Sequence, residues 1–186
     1  MKEFRTLTAD EIEVRVGSVS KGKASLLLYK DARCDMAILD ETVGPLNWQR
    51  HHSRDNANCI VSIWDDEKKQ WIEKEDTGTE SNTEREKGLA SDSFKRACVN
   101  LGIGRELYTS PRITINCETV QEGNRHKLKN NWQFYGCKVS NIKYDDRRQI
   151  TQLTITKDDH VIYEYPDSGE HTRAIPPQPL TRAEMC

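Results

Sequence analysis

Apolar positions recur along this chain in two periods, one helical and one alternating. From Thr83 to Leu101, the residues Ala90, Phe94, Ala97, Cys98 and Leu101 fall at helical spacing and make one apolar stripe, as a helix with one buried face requires. Thr83-Glu84-Arg85-Glu86 opens this segment as a capping box, and Gly102 and Gly104 end it. Asp31 to Val43 also reads as helical, with Cys34, Ile38 and Leu39 on one side and Gly44-Pro45 as the stop. Leu7 to Val16 reads as a short amphipathic helix, with Thr8 as N-cap and Glu11 as its capping-box partner.

Ala24 to Tyr29 follows as a strand, after a polar loop from Ser18 to Lys23. Trp48 to His52, Asn58 to Trp64 and Gln70 to Thr77 are strands, the last two forming a hairpin around the polar turn Asp65 to Lys69. Cys59, Val61 and Ile63 alternate as a face packed on a helix should. Beyond Pro111, Gly136 to Tyr144, Gln149 to Thr156 and Val161 to Tyr165 read as a three-stranded antiparallel meander, and from Pro166 the composition is that of a polar, Pro-containing tail. The order of elements predicts an α+β fold: a core region over 1–110, a β-rich extension over 111–165 and a tail over 166–186.

The chain has 186 residues, 35% hydrophobic and 31% charged, which fits one polar but folded domain with a small appendage. Such a composition also suits a subunit that buries surface against copies of itself. No apolar run approaches the roughly 20 residues of a membrane helix, and Met1 to Thr6 lacks the apolar stretch of a signal peptide. A cytoplasmic protein is expected. Cys34, Cys59, Cys98, Cys117, Cys137 and Cys186 contain no CxxC pair, so reduced thiols are expected and not a zinc site. His51 and His52, adjacent on a strand, point to opposite faces and do not chelate one ion together.

No GxSxG, HExxH or P-loop is present. Gly102-Ile103-Gly104 follows a helix, whereas a phosphate loop precedes one. Asp65, Asp66, Glu73, Glu75, Asp76 and Glu80 lie in a turn and on strand faces; a metal-dependent nuclease among them is the catalytic alternative, and a non-enzymatic protein without cofactor or metal is the expectation. Net charge is −2, so a nucleic-acid site has to come from local clusters of Lys and Arg. Lys95 and Arg96 flank the apolar stripe of the long helix, Lys87 lies two turns earlier and Arg105 just past the helix end. Arg15, Lys21 and Lys23 form a second group. On charge pattern alone, such residues read first as solvated surface.

Two segments change that reading. Leu39-Asp40-Glu41-Thr42-Val43-Gly44-Pro45-Leu46-Asn47-Trp48 resembles the helix-to-strand passage of the Rad-fifty-two family of single-strand annealing proteins. Glu75 to Ser81, followed by Lys87-Gly88-Leu89-Ala90-Ser91-Asp92-Ser93-Phe94-Lys95-Arg96-Ala97, resembles that family's strand, acidic-Gly turn and helix carrying Asp-x-x-Lys-Arg-Ala. The version here is most similar to short relatives encoded by bacteriophages, and the likeness runs from about Asp10 to Tyr108.

The resemblance implies a β-β-β-α core, an antiparallel sheet packed on the long helix, with subunits side by side in a homo-oligomeric ring. It implies single-stranded DNA in a basic groove, bases outward, annealed without ATP in recombination and double-strand break repair in a bacterial host cell. A single-strand-binding protein or an exonuclease would be a further partner. Residue by residue, Lys95 and Arg96 match the family's backbone-holding Lys-Arg, Arg15 a DNA-contacting Arg, Tyr29 an aromatic beside the groove and Lys87 a Lys on the same helix. Val99 departs from the pattern, where an additional basic residue often stands. The acidic stretch from Asp65 to Glu86 is expected to face away from the groove. The alternative within binding proteins is a module that protects single-stranded DNA without annealing it.

Overall fold

The computed structural model describes residues 3–79, 85–129 and 136–166, and for residues 85–87 the backbone alone. Within them the chain is α+β, with two α-helices and strands that pair antiparallel throughout. The expected tail from 167 on lies outside the described residues, as do Thr83 and Glu84 of the expected capping box.

The first element corrects the sequence reading. Thr8 and Glu11 do interact as a cap, Thr8 N donating to the Glu11 carboxylate at 2.8 Å. They cap only one 3₁₀ turn, Ala9–Glu11, after which the chain runs as β1, Ile12–Ser20. The reason is the period. Ile12 and Val14 are buried while Glu13 and Arg15 are exposed, an alternation by twos that serves a strand with one covered face. Lys21 and Gly22 turn β1 into β2, Lys23–Lys30, so the expected polar loop is a tight hairpin with Ser18 to Ser20 inside the strand.

Asp31 caps α1, Ala32–Val43, its carboxylate accepting from Arg33 N at 2.7 Å. Gly44, at φ 89°, ends it. The Trp48 indole donates to Asp40 at 2.7 Å and so ties the next strand back to α1. β3 (Trp48–Ser53), β4 (Asn58–Asp65) and β5 (Gln70–Thr77) form one sheet in that order. Cys59, Val61 and Ile63 share the buried core with Phe94, Ala97 and Cys98 of α2, Arg85–Leu101, and Trp48 stacks on Phe94 at 6.1 Å between ring centroids.

Gly78 allows the link from β5 to pass close to α2: a Cβ there would lie 2.6 Å from Ser93 N and 2.8 Å from Leu89 O. Asn100 of α2 then donates to Glu75 O at 2.9 Å.

After a 3₁₀ turn, Arg105–Thr109, the short β6 (Ile113–Asn116) adds to β2 and completes the sheet β1–β2–β6. The hairpin of β7 (Thr119–Glu122) and β8 (Arg125–Leu128) follows, an element absent from the sequence reading. The expected meander is present as β9 (Cys137–Tyr144), β10 (Ile150–Lys157) and β11 (His160–Tyr165).

One buried carboxylate joins this meander to the rest. Glu106 is 1% exposed. It accepts from Leu7 N at 2.7 Å and from the Arg148 guanidinium at 3.0 Å, while the Tyr144 hydroxyl donates to Leu7 O at 3.0 Å. A buried carboxylate needs partners of this kind to offset its lost hydration.

Glu106→Ala leaves the Leu7 amide without its acceptor and the Arg148 guanidinium with the Arg5 carbonyl alone. We expect a loss of about 2–4 kcal/mol in urea unfolding. A loss below about 1 kcal/mol would show that the junction carries little of the stability.

Candidate nucleic-acid interface

Odd-numbered residues of β2 face outward: Lys23, Ser25, Leu27 and Tyr29 are exposed or half-buried, while Ala24 and Leu26 are buried. Across the hairpin, Arg15 pairs in register with Leu27 and Glu13 with Tyr29, so Arg15 stands on the same face. Its guanidinium lies 5.0 Å from the centre of the Tyr29 ring and also bonds Glu13. A cation over an aromatic face is attracted to the ring quadrupole, which holds both side chains in place.

Between this face and α2 runs a cleft of about 740 Å³. Tyr29 and Leu27 of β2, Lys95, Arg96 and Val99 of α2, and Tyr108 and Arg112 of the segment that follows α2 line it. Three of the residues singled out in the sequence, Tyr29, Lys95 and Arg96, therefore meet in one cleft, with Arg15 beside Tyr29. Lys21 and Lys23 do not line it; they sit at the far tip of the β1–β2 hairpin. Lys87 lies in the first turn of α2, and its side chain is outside the described residues. Arg105 acts locally, where its guanidinium donates to Val99 O at 3.0 Å and to Asn100 O at 3.1 Å, capping the last carbonyls of α2.

The cations of the cleft differ in how they are balanced. Arg96 bonds Asp76 at 3.2 Å. Asp92 lines the cleft and holds Thr79 N at 2.9 Å. The acidic stretch thus divides: Glu73 and Glu75 pair with Ser62 and Asn58, whereas Asp76 faces the helix. Lys95 has no ion pair among the described residues, and neither has Arg112. Arg112 and Tyr108 were missing from the sequence reading. The signal available was an aromatic and an Arg on either side of Ser110-Pro111, directly after a helix stop.

Beneath the cleft, Lys30 reaches inward past Gly104 and pairs with Asp35, both almost without solvent contact. Gly104, at φ 71°, has no Cβ, and the Lys30 chain occupies the space one would need. The Lys30 ammonium also lies 3.4 Å from Lys95 O, so this pair connects β2, α1 and α2. Burial pushes the Asp35 carboxyl up to about 6 against the opposing pull of Lys30. Its second oxygen has no hydrogen-bond partner among the described residues, which is why desolvation prevails.

A second, more open cleft of about 1210 Å³ lies between β1 and β9. Its cations Arg15 and Lys138 are paired with Glu13 and Asp159, which leaves it less suited to a polyanion. Among the described residues no three His, Cys, Asp or Glu are grouped to hold a metal ion, and no helix is long and apolar enough to cross a membrane. Burial raises the thiol of Cys34 to about 12 and those of Cys59 and Cys137 to about 11. Set against family models, curated proteins and solved structures, the chain matches none.

The buried carboxyl gives a pH prediction. Its folded pKa lies above its ordinary value of 3.8, so its contribution is full below that value and is lost as pH rises through about 6. Relative to Asp35→Asn, the wild type should lose on the order of 2–3 kcal/mol between about pH 4 and about pH 6. A relative gain over that range would mean that Lys30 holds Asp35 ionised throughout.

Proposed function

We propose that this protein binds single-stranded DNA along the cleft between β2 and α2, and that it anneals complementary strands without ATP. The observation that carries the reading is the cleft itself: Lys95 and Arg96 of α2 and Tyr29 of β2, distant in sequence, line one surface. Cations hold phosphates without regard to sequence, and aromatic or aliphatic surface accepts bases. Sequence-blind holding is what annealing needs, because the bases stay free to test a second strand.

The finer architecture belongs to the same proposal. β3–β4–β5 followed by α2 forms the β-β-β-α core, with the antiparallel sheet packed on the long helix, and copies associate side by side into a ring whose clefts join into one groove. No bond is made or broken in this function. Its likeness to the phage-type members of the Rad-fifty-two family rests on the two sequence segments, both of which border the cleft or its supports: Asp40 holds Trp48, and Asp76 and Asp92 flank Arg96 and Thr79.

Charge balance ranks the two helix cations. Lys95 has no ion pair among the described residues, whereas Arg96 must share its charge with Asp76. Lys95→Ala is therefore expected to weaken binding of a fluorescent oligothymidine, measured by anisotropy, by about three- to tenfold, and more than Arg96→Ala. The slope of log affinity against log salt should fall in magnitude by about 1. Sedimentation of both variants should match the wild type. Unchanged affinity and slope in Lys95→Ala, or dissociated subunits, would assign the pair a structural role and remove the interface.

A further inference from the structure

We infer that Tyr108 and Arg112 form a station for one nucleotide in the cleft, Tyr108 stacking the base and Arg112 holding the adjoining phosphate. The site then selects nucleic acid whose base faces are free, single strand over duplex; this rests on the single-stranded DNA reading above.

Tyr108 is 72% exposed, although the turn that carries it is held on several sides. Glu106 is anchored to Leu7 N and Arg148. Arg105 is fixed on the last carbonyls of α2. The Thr109 hydroxyl donates to Glu106 O at 2.7 Å and accepts from Ile150 N at 2.9 Å. A large ring thus projects to solvent from a rigid base, and its hydroxyl has no hydrogen bond among the described residues. The exposed ring on this mount is open to a planar ligand. A rigid aromatic also loses little entropy on stacking.

Arg112 precedes Ile113, which pairs with Leu26 in the sheet β1–β2–β6. Ile113 is buried and Arg112 exposed, so its side chain lies on the outward side, where Leu27 and Tyr29 also stand. Of the cations lining the cleft, Lys30 and Arg96 are bound to carboxylates. Lys95 and Arg112 have no such partner among the described residues. Phosphates that such cations neutralise shed their own condensed counterions. The combination of a bare ring, half-exposed Leu27 and two cations without an ion pair among the described residues suits alternate bases and phosphates. A duplex offers the phosphates but hides its base faces.

Three probes of equal length separate the contributions: oligothymidine, an abasic oligomer with the same backbone, and a duplex. The wild type should bind oligothymidine about tenfold or more tighter than the abasic oligomer. Tyr108→Ala should remove most of that gap, Tyr108→Trp should keep it, and Arg112→Gln should weaken oligothymidine and abasic oligomer alike while lowering the salt slope by about 1. Thermal unfolding should leave all three variants close to the wild type. A gap that persists in Tyr108→Ala, or no gap in the wild type while oligothymidine still binds, overturns the station and leaves the single-stranded DNA reading standing. Failure of the wild type to bind any probe overturns both.

Discussion

Three stretches of chain meet at the carboxylate of Glu106: the N-terminal segment through Leu7, the turn after α2, and the β9–β10 turn through Arg148. This carboxylate needs its donors, because almost no water reaches it. The requirement fixes the direction of the turn. With Glu106 pointing inward, its neighbours Arg105 and Tyr108 are left to face α2 and solvent respectively. The same anchor sets the place of Arg112 beside β2, since β6 begins only a few residues later. The place of Tyr108 and Arg112 in the cleft therefore depends on a bond that is not in the cleft.

A second buried charge supports another part of the lining. Lys30 and Asp35 bring β2 and α1 together below Lys95. Buried pairs of this kind contribute little net stability, because desolvation offsets their attraction. Here the pair draws one cation of the region inward, and Asp76 engages another. The net charge of −2 does not itself oppose a polyanion site, because the charges that line the cleft decide it and not the total. Lys95 and Arg112 line the cleft without an ion pair among the described residues. That local excess, set among Leu27, Tyr29 and Tyr108, is the physical basis of the functional reading.

Much of the architecture was legible wherever one period ran long enough. The stripe Ala90, Phe94, Ala97, Cys98 and the Asp31 and Gly44 boundaries of α1 correspond to real helices, and the alternation of Cys59, Val61 and Ile63 to a real strand face. At Leu7 to Val16 two signals competed. The Thr8–Glu11 cap is genuine but serves one turn, and the alternation of Ile12 with Glu13 and Val14 with Arg15 decides the rest. β6 to β8 are four residues each and mostly half-polar, too short for a period to stand out. Of the candidate site, Tyr29, Lys95 and Arg96 stood out in the sequence and line the cleft. Arg105 was not separable from them by sequence, since its capping of Val99 and Asn100 depends on how the chain turns at Gly102 and Gly104. Tyr108 and Arg112 were missed because their exposure follows from long-range contacts, the bond of Glu106 to Leu7 and the pairing of Ile113 with Leu26.

The central claim is that the cleft holds one strand so that another can pair with it. Its most direct test is the annealing of two complementary fluorescent oligonucleotides, with chelator present and no ATP, by wild type and by Lys95→Ala. The account predicts acceleration over the spontaneous rate by the wild type and much less by the variant. Single-strand binding without acceleration, or equal acceleration by both proteins, would contradict it.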